Sequence, residues 1–211
     1  MEKLIFKTIT AIDELNFVLN KIEHYSGVRL PFEYIKRSKT VGAFLHNQLV
    51  ASYIIVTKPN FRSLLFVPDS VKQTHTFFSN DQYEMMEVNG LWIGPAVKTP
   101  KMQFLVWLQL AKDIILSRKK YLLLMSSSKN KNIGHLHSLT NPKTLYNGAP
   151  NLMAGDNSHS SIQVSYTTRW SIILNIPKYL LELRRRQIRA EQFAKERTYV
   201  RELKISEAGF V

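Results

Sequence analysis

Apolar and polar positions along this chain fall into short blocks whose period switches between two residues and three to four, which predicts strands interleaved with helices. Residues 3–9 read as a strand. Thr10 with Asp13 resembles a capping box opening a helix through about Tyr25, with Leu15, Val18, Leu19 and Ile22 on one face and Gly27 closing it. VGAFLH and LVASYIIV flank Asn47-Gln48 and predict a hairpin. RSLLFV at 62–67 is a third candidate strand, and the polar segment 68–82, with its Phe77-Phe78 pair, reads as a surface loop or flap. A long strand is expected over 83–96. Thr99 is placed to N-cap a helix over 101–117, with Pro100 at the first helical position and Met102, Leu105, Val106, Leu108, Leu110, Ile114 and Ile115 recurring at helical spacing. Beyond it, YLLLMSS predicts a buried strand and SSKNKN opens a short helix through His137. After a Gly- and Asn-rich loop at 147–159, residues 160–174 suggest a closing strand. Pro177 is expected to start a long helix through about Leu203.

A chain of 211 residues, 45% of them hydrophobic, is long enough to bury a core as one mixed α/β domain, here residues 1–176, followed by a basic helix and tail over 177–211. No run of about 18 apolar residues appears, and MEKLIFKTITAIDELN carries acidic residues where a signal peptide would be uniformly apolar. A soluble, cytoplasmic protein without a transmembrane segment is therefore expected. Zero cysteines exclude a disulfide framework, a cysteine nucleophile and a thiolate metal site. The net charge of +13 favours an acidic partner. Residues 178–204 hold nine Lys or Arg against four Glu, so much of the excess lies elsewhere in the chain. Leu180, Leu183, Ile188, Ala190, Phe193, Tyr199 and Leu203 form an imperfect apolar stripe in this terminal segment, beside the basic cluster Arg184 to Arg186.

The stretch VNGLWIGPAVKTPKMQFLVWLQL, Val88 to Leu110, joins a buried strand to an amphipathic helix through a basic corner. Free N–H groups at a helix start favour phosphate, and Lys98 and Lys101 add charge. Segment 93–106 resembles the coenzyme-A-binding motif of the GNAT acyltransferase superfamily. Ile93, Pro95, Lys98 and Val106 fall on its aliphatic, proline, basic and final positions, while Lys101 and Gln103 replace two small residues that let backbone approach a pyrophosphate. The resemblance implies a GNAT-like mixed, mostly antiparallel sheet flanked by helices, and an acyl-CoA donor held by Trp92, Ile93, Gly94, Pro95, Ala96, Val97, Lys98, Lys101, Met102 and Gln103. In that superfamily the strand YLLLMSS diverges from the preceding one, and the gap admits the pantetheine arm. Asn132 lies about where the motif carries an amide. The tyrosine that often follows as general acid is missing from HLHSLTNP, and Tyr146 is the candidate nearby in sequence.

Acyl transfer to an amine needs a polarised thioester carbonyl, a base for the attacking ammonium and a proton for the departing thiolate. The resemblance points to peptide groups around Trp92 to Gly94 as the carbonyl donors. Glu87, flanked by Met86 and Val88, is a candidate base whose pKa would rise in an apolar cleft. His135 is another. His135 and His137 are two apart and lack the i, i+4 spacing of a helical zinc pair, so no metal is expected. Met85, Met86, Trp92, Met102, Phe104, Trp107 and Met125 would suit a tunnel for a long acyl chain. The chain resembles the fatty-acyl-transferring branch of the superfamily, in particular the maturases that lipidate lysine-type side chains of ribosomally made peptides. That implies a long-chain N-acyltransferase with an acidic peptide substrate. Alternatives are an N-acyl amino acid or acyl-homoserine lactone type synthase drawing on an acyl carrier protein, and a basic nucleic-acid-binding module without catalysis. Nucleic acid is the less expected partner, since no recognition-helix, RNP-type or finger motif appears.

Overall fold

The computed structural model describes residues 3–27, 29–127, 131–150 and 161–208. Strand β1 (Ile5–Ile9) leads into helix α1 (Ile12–Ser26), which Gly27 ends in the left-handed conformation, its N–H donating to the Glu23 carbonyl at 2.8 Å. The expected capping box does not form: Ala11 is the N-cap and contributes no side-chain bond. A short helix α2 (Phe32–Lys36), not anticipated from sequence, precedes the hairpin of β2 (Lys39–Leu45) and β3 (Gln48–Val56). Its turn is His46-Asn47, one residue earlier than expected. Both residues take positive φ, 49° and 64°, the requirement of a type I′ turn, and asparagine tolerates that region without glycine.

Residues 62–67 do not form a strand. They begin helix α3 (Arg62–Leu65), because the Glu87 carboxylate accepts the Arg62 and Ser63 amides and so caps the helix start from another part of the chain. The expected flap is likewise structured, as α4 (Asp69–Thr74) followed by two single-turn 3-10 segments, and Phe77 is buried with its ring stacked on Tyr166 at 4.1 Å. Strand β4 (Met85–Ile93), helix α5 (Pro100–Leu116), strand β5 (Tyr121–Ser127) and helix α6 (Lys131–Ser138) follow the sequence reading closely. An unanticipated strand β6 (Lys143–Gly148) then precedes β7 (Ile162–Thr168). The closing strand stops at Thr168 because the Thr168 hydroxyl accepts the Ser171 amide at 3.1 Å and caps helix α7 (Arg169–Ala208). Pro177 therefore lies inside this helix rather than at its start, at the cost of one backbone hydrogen bond.

The seven strands form one sheet in the order β1-β2-β3-β4-β5-β7-β6, antiparallel throughout except for β4 and β5. β2 and β3 are buried on both faces. One face packs Leu15, Val18, Leu19 and Ile22 of α1 together with Tyr34, Phe61 and Phe77; on the other, Leu110 and Ile114 of α5 meet Tyr53, Ile55, Met86 and Ile172. The chain divides into two compact units, Met1–Leu174 and Asn175–Val211. The second is the continuation of α7, in which Arg186 donates to Glu182 one turn earlier at 2.9 Å and Leu180, Leu181, Ile188 and Phe193 are exposed. Among the described residues no helix is long and apolar enough to cross a membrane.

Helix α5 is fixed to the sheet by Asp113. Its buried carboxylate accepts Lys39 Nζ at 2.8 Å, the Tyr53 hydroxyl at 2.6 Å and Gln109 Nε2 at 3.4 Å. Burial opposes the charge, yet the bonds from Lys39 and Tyr53 and the lysine's charge prevail and hold its pKa below the usual aspartate range. Asp113→Ala strands the buried Tyr53 hydroxyl and should lower stability by about 2–3 kcal/mol in urea unfolding. A folded pKa below the unfolded one means that this contribution is fully present above the ordinary aspartate value of about 3.9 and is lost as pH falls further, through the lowered folded value. The difference between wild type and Asp113→Ala should accordingly shrink when unfolding is repeated at progressively lower pH.

Candidate active site

Strands β4 and β5 pair over three positions only: Met85 with Tyr121, Met86 with Leu122 and Glu87 with Leu123. Beyond Glu87 they part. β4 continues along β3 to Ile93, while β5 continues along β7 to Ser127. Because α5 connects two parallel strands, its N-terminus lies at their carboxyl ends, where crevices of open α/β sheets bind ligands. The opening, flanked by Val88 on one strand and Leu124 and Met125 on the other, thus meets the start of a helix.

That start is built as its residue types dictate. Gly94 is buried, its N–H donates to the Val50 carbonyl at 2.8 Å, and its own carbonyl accepts the Val97 amide at 3.0 Å, which turns the chain over exposed Pro95 and Ala96. An added Cβ at Gly94 would stand 2.9 Å from the Val50 carbonyl oxygen and 2.7 Å from the Trp92 ring, so the position requires glycine. Ile93 packs against the buried cluster formed by Ala43, Val97, Met102 and Val106. The Thr99 hydroxyl accepts the Met102 amide at 3.2 Å, and the Thr99 carbonyl accepts the Gln103 amide at 3.1 Å. The amides of Ala96, Lys98 and Lys101 carry no hydrogen bond among the described residues, and both lysine side chains are exposed. Gln103 Nε2 reaches back to the Val97 carbonyl at 3.4 Å. This corner offers unpaired N–H groups and positive charge to an anion.

Of the carbonyl donors expected around Trp92 to Gly94, the Gly94 N–H is engaged by the Val50 carbonyl, while Trp92 and Ile93 are in register with Ser52 and Ala51, positions that alternate between bonding β3 and facing away from it. The irregularity sits one step earlier. Between the Ser52/Trp92 and Ile54/Asn89 pairs, Gly90 and Leu91 together face Tyr53, which is a bulge with Gly90 at φ 58°. A bulge leaves its extra residue outside the ladder. Ile22 of α1 closes over it, 2.4 Å from where a Gly90 Cβ would be. A glycine isolated within a strand is the signal by which sequence reasoning could have found this position.

Glu87 does not face an apolar cleft. Its Oε1 accepts the Tyr34 hydroxyl and the Arg62 amide at 2.7 Å, and its Oε2 accepts the Ser63 amide at 3.0 Å and the Ser63 hydroxyl at 2.7 Å. Asn89 Nδ2 donates to the Tyr34 oxygen at 2.7 Å, and the Arg37 guanidinium lies 5.3 Å from the Tyr34 ring centroid. Burial, reinforced by Glu87, pushes the Tyr34 pKa well above the ordinary tyrosine value. Four donors thus occupy the two carboxylate oxygens. Nothing in the sequence pointed to Tyr34, Ser63 or Asn89 as its partners.

The other expected residues lie apart. His135 is exposed on α6, which packs on β5, and its neighbour His137 is half-buried, with burial holding its pKa down at about 4. Tyr146 lies on the outer strand β6, and its hydroxyl donates to the Ala149 carbonyl at 2.5 Å. The Asn132 side chain lies outside the described residues. Trp92 stacks on Tyr25 of α1 at 5.9 Å. The methionines and tryptophans expected to line one tunnel are distributed over separate clusters: Met85 and Met125 on the α1 face, Met86 and Trp107 on the α5 face, Met102 in a third. Among the described residues no group of His, Asp and Glu gathers as a metal site.

No protein-family model and no curated protein matches the sequence. Solved structures do match the fold. An N-acyl amino acid synthase from uncultured soil microbes superposes with a TM-score of 0.57, covering 82% of this chain and 94% of its own at 9% identity. The ribosomal-protein-S18-alanine N-acetyltransferase from Escherichia coli gives 0.53 over 79% and 94% at 8% identity, and an acetyltransferase of the GNAT family from Streptococcus pneumoniae gives 0.52 over 79% and 99% at 11%. At such identities the likeness is one of architecture. The chain has the GNAT fold, as its mostly antiparallel sheet and parting central strands define it.

If the Glu87 cluster holds this architecture together, Glu87→Gln, which sets an amide donor against existing donors, should cost about 2–4 kcal/mol in urea unfolding. Unchanged stability would remove Glu87 from the framework.

Proposed function

We propose that this protein is an N-acyltransferase that moves an acyl group from a coenzyme A thioester to an amine. The observation that carries this reading is the opening between β4 and β5 beside the unbonded amides of Ala96, Lys98 and Lys101. Those amides, with the charges of Lys98 and Lys101, would hold the donor's phosphates, and the lysines replace the close backbone approach that small residues give elsewhere. The thiol-bearing arm would pass between the parting strands. There the bulge at Gly90 and Leu91 would present a backbone donor to the thioester carbonyl oxygen.

The amine nitrogen attacks the carbonyl carbon, the carbon–sulfur bond breaks, and one proton leaves the nitrogen while the thiolate gains one. His135, an exposed imidazole on the helix after β5, is the proposed base. Glu87 is saturated with donors, and His137, with a pKa near 4, is too weak a base for an ammonium. Tyr146 would release its bond to Ala149 to protonate the thiolate, and Asn132 is proposed to bind the donor from the start of α6.

The finer reading is a long acyl chain carried to a lysine-type side chain of an acidic peptide. It is supported by the apolar flanks of the opening and by the net charge of +13, which suits an acidic substrate. A second reading, acylation of a free amino acid with a carrier protein as donor, is favoured by the structural likeness to an N-acyl amino acid synthase.

Lys101→Glu should weaken acyl-CoA binding roughly ten-fold in calorimetric titration, by setting a negative charge beside the phosphates; equal affinity would take that lysine out of the donor site. His135→Gln should lower kcat on the order of a hundred-fold while leaving acyl-CoA affinity as it is. A variant with full turnover would move the base elsewhere.

A further inference from the structure

Arg62 stands where the two central strands part. Its amide bonds Glu87, the last β4 residue in register with β5, and α3 packs against β5. The side chain is half-buried, with the guanidinium carbon 5.7 Å from the Phe66 ring centroid. A guanidinium carries five N–H donors and no acceptor. Among the described residues that of Arg62 makes no hydrogen bond and no ion pair. The nearest negative group, Glu87, cannot serve it, because both carboxylate oxygens are already taken by Tyr34, Ser63 and the Arg62 amide itself. Removal from water pulls the Arg62 pKa down against the pull of Tyr34 and Glu87. Its donors remain open to solvent, so an anion that displaces water there gains charge-assisted bonds without displacing any protein partner.

We propose that Arg62 binds a carboxylate of the acceptor, so that the amine acylated here belongs to a molecule with a carboxylate within reach of it. The geometry that points there is an unpaired fork beside the opening, on the sheet face that carries Glu87, Tyr34 and Asn89. A planar fork matches a carboxylate with two parallel bonds, which an ammonium could not supply. Arg37, stacked over the Tyr34 ring and anchored to the Asn60 carbonyl at 3.0 Å, adds a second positive charge to the same side. The inference rests on the acyltransferase reading above and assigns to Arg62 the recognition of the carboxylate that its two acceptor classes share.

The test compares acceptors that differ in one charge. Transfer from palmitoyl-CoA is followed by thiol release with a lysine-containing peptide bearing Glu beside the lysine, its Gln counterpart, free L-lysine and L-lysine methyl ester. The carboxylate member of at least one pair should show a KM roughly ten- to hundred-fold lower. A preference confined to the peptide pair identifies a side-chain carboxylate, and one confined to the lysine pair an α-carboxylate. Arg62→Gln should raise KM for the carboxylate member alone, with Arg62→Lys intermediate, while palmitoyl-CoA affinity and the melting temperature stay at wild-type values. Equal KM within both pairs in the wild type, or an equal loss for both members in Arg62→Gln, overturns the proposal. Absence of transfer to all four acceptors would refute the acyltransferase reading instead. Recognition is then read by calorimetric titration of the same four compounds, and failure of the wild type to distinguish them overturns the role of Arg62 as well.

Discussion

One buried carboxylate organises the centre of this molecule. Glu87 receives the Tyr34 hydroxyl from α2, two amides and a hydroxyl from the start of α3, and sits on β4 at the last residue still paired with β5. Each of those segments is too short to hold its shape alone: α2 has five residues and α3 four, well below the length at which an isolated helix survives in water. The first amides of α3 find their acceptor inside the core, and α2 is tied to the same carboxylate through the Tyr34 side chain. The same bonds fix the floor of the opening between the central strands, so the framework and the candidate site share one set of interactions.

The other side of the sheet is governed by Asp113. Near the C-terminus of α5 a negative charge runs against the helix dipole, and Lys39 with Tyr53 compensates it. This pins the far end of the helix to β2 and β3, while Val97, Met102 and Val106 pin the near end into the core. The basic corner is thereby held at both ends of the element it opens, which keeps its unbonded amides facing outward rather than folding back.

What could be read from the sequence was whatever local chemistry decides. The apolar face of α1, its stop at Gly27, the Thr99-Pro100 start of α5 and the buried run of β5 each follow from residues next to one another in the chain. The readings that failed were those settled at a distance. RSLLFV has the apolar pattern of a strand and becomes a helix because of a carboxylate more than twenty residues away; Thr168 caps a helix that Pro177 was expected to open. The basic corner near Pro95 was legible because its residues are contiguous. Neither the four donors on Glu87 nor the unpaired fork of Arg62 leaves a trace in spacing or composition, and the apparent methionine and tryptophan cluster dissolved once alternate residues of β4 pointed to opposite faces.

The three-residue ladder between β4 and β5 makes the sheet two antiparallel halves, β1-β2-β3-β4 and β5-β7-β6, sewn along a very short seam. Every other strand pair is stitched over five positions or more. Spreading the seam therefore disturbs few backbone bonds and unravels neither half, so the width of the crevice is the dimension of this fold that neighbouring side chains can retune most cheaply. Selection acting there can change the girth of what is admitted while the two half-sheets on either side remain as they are.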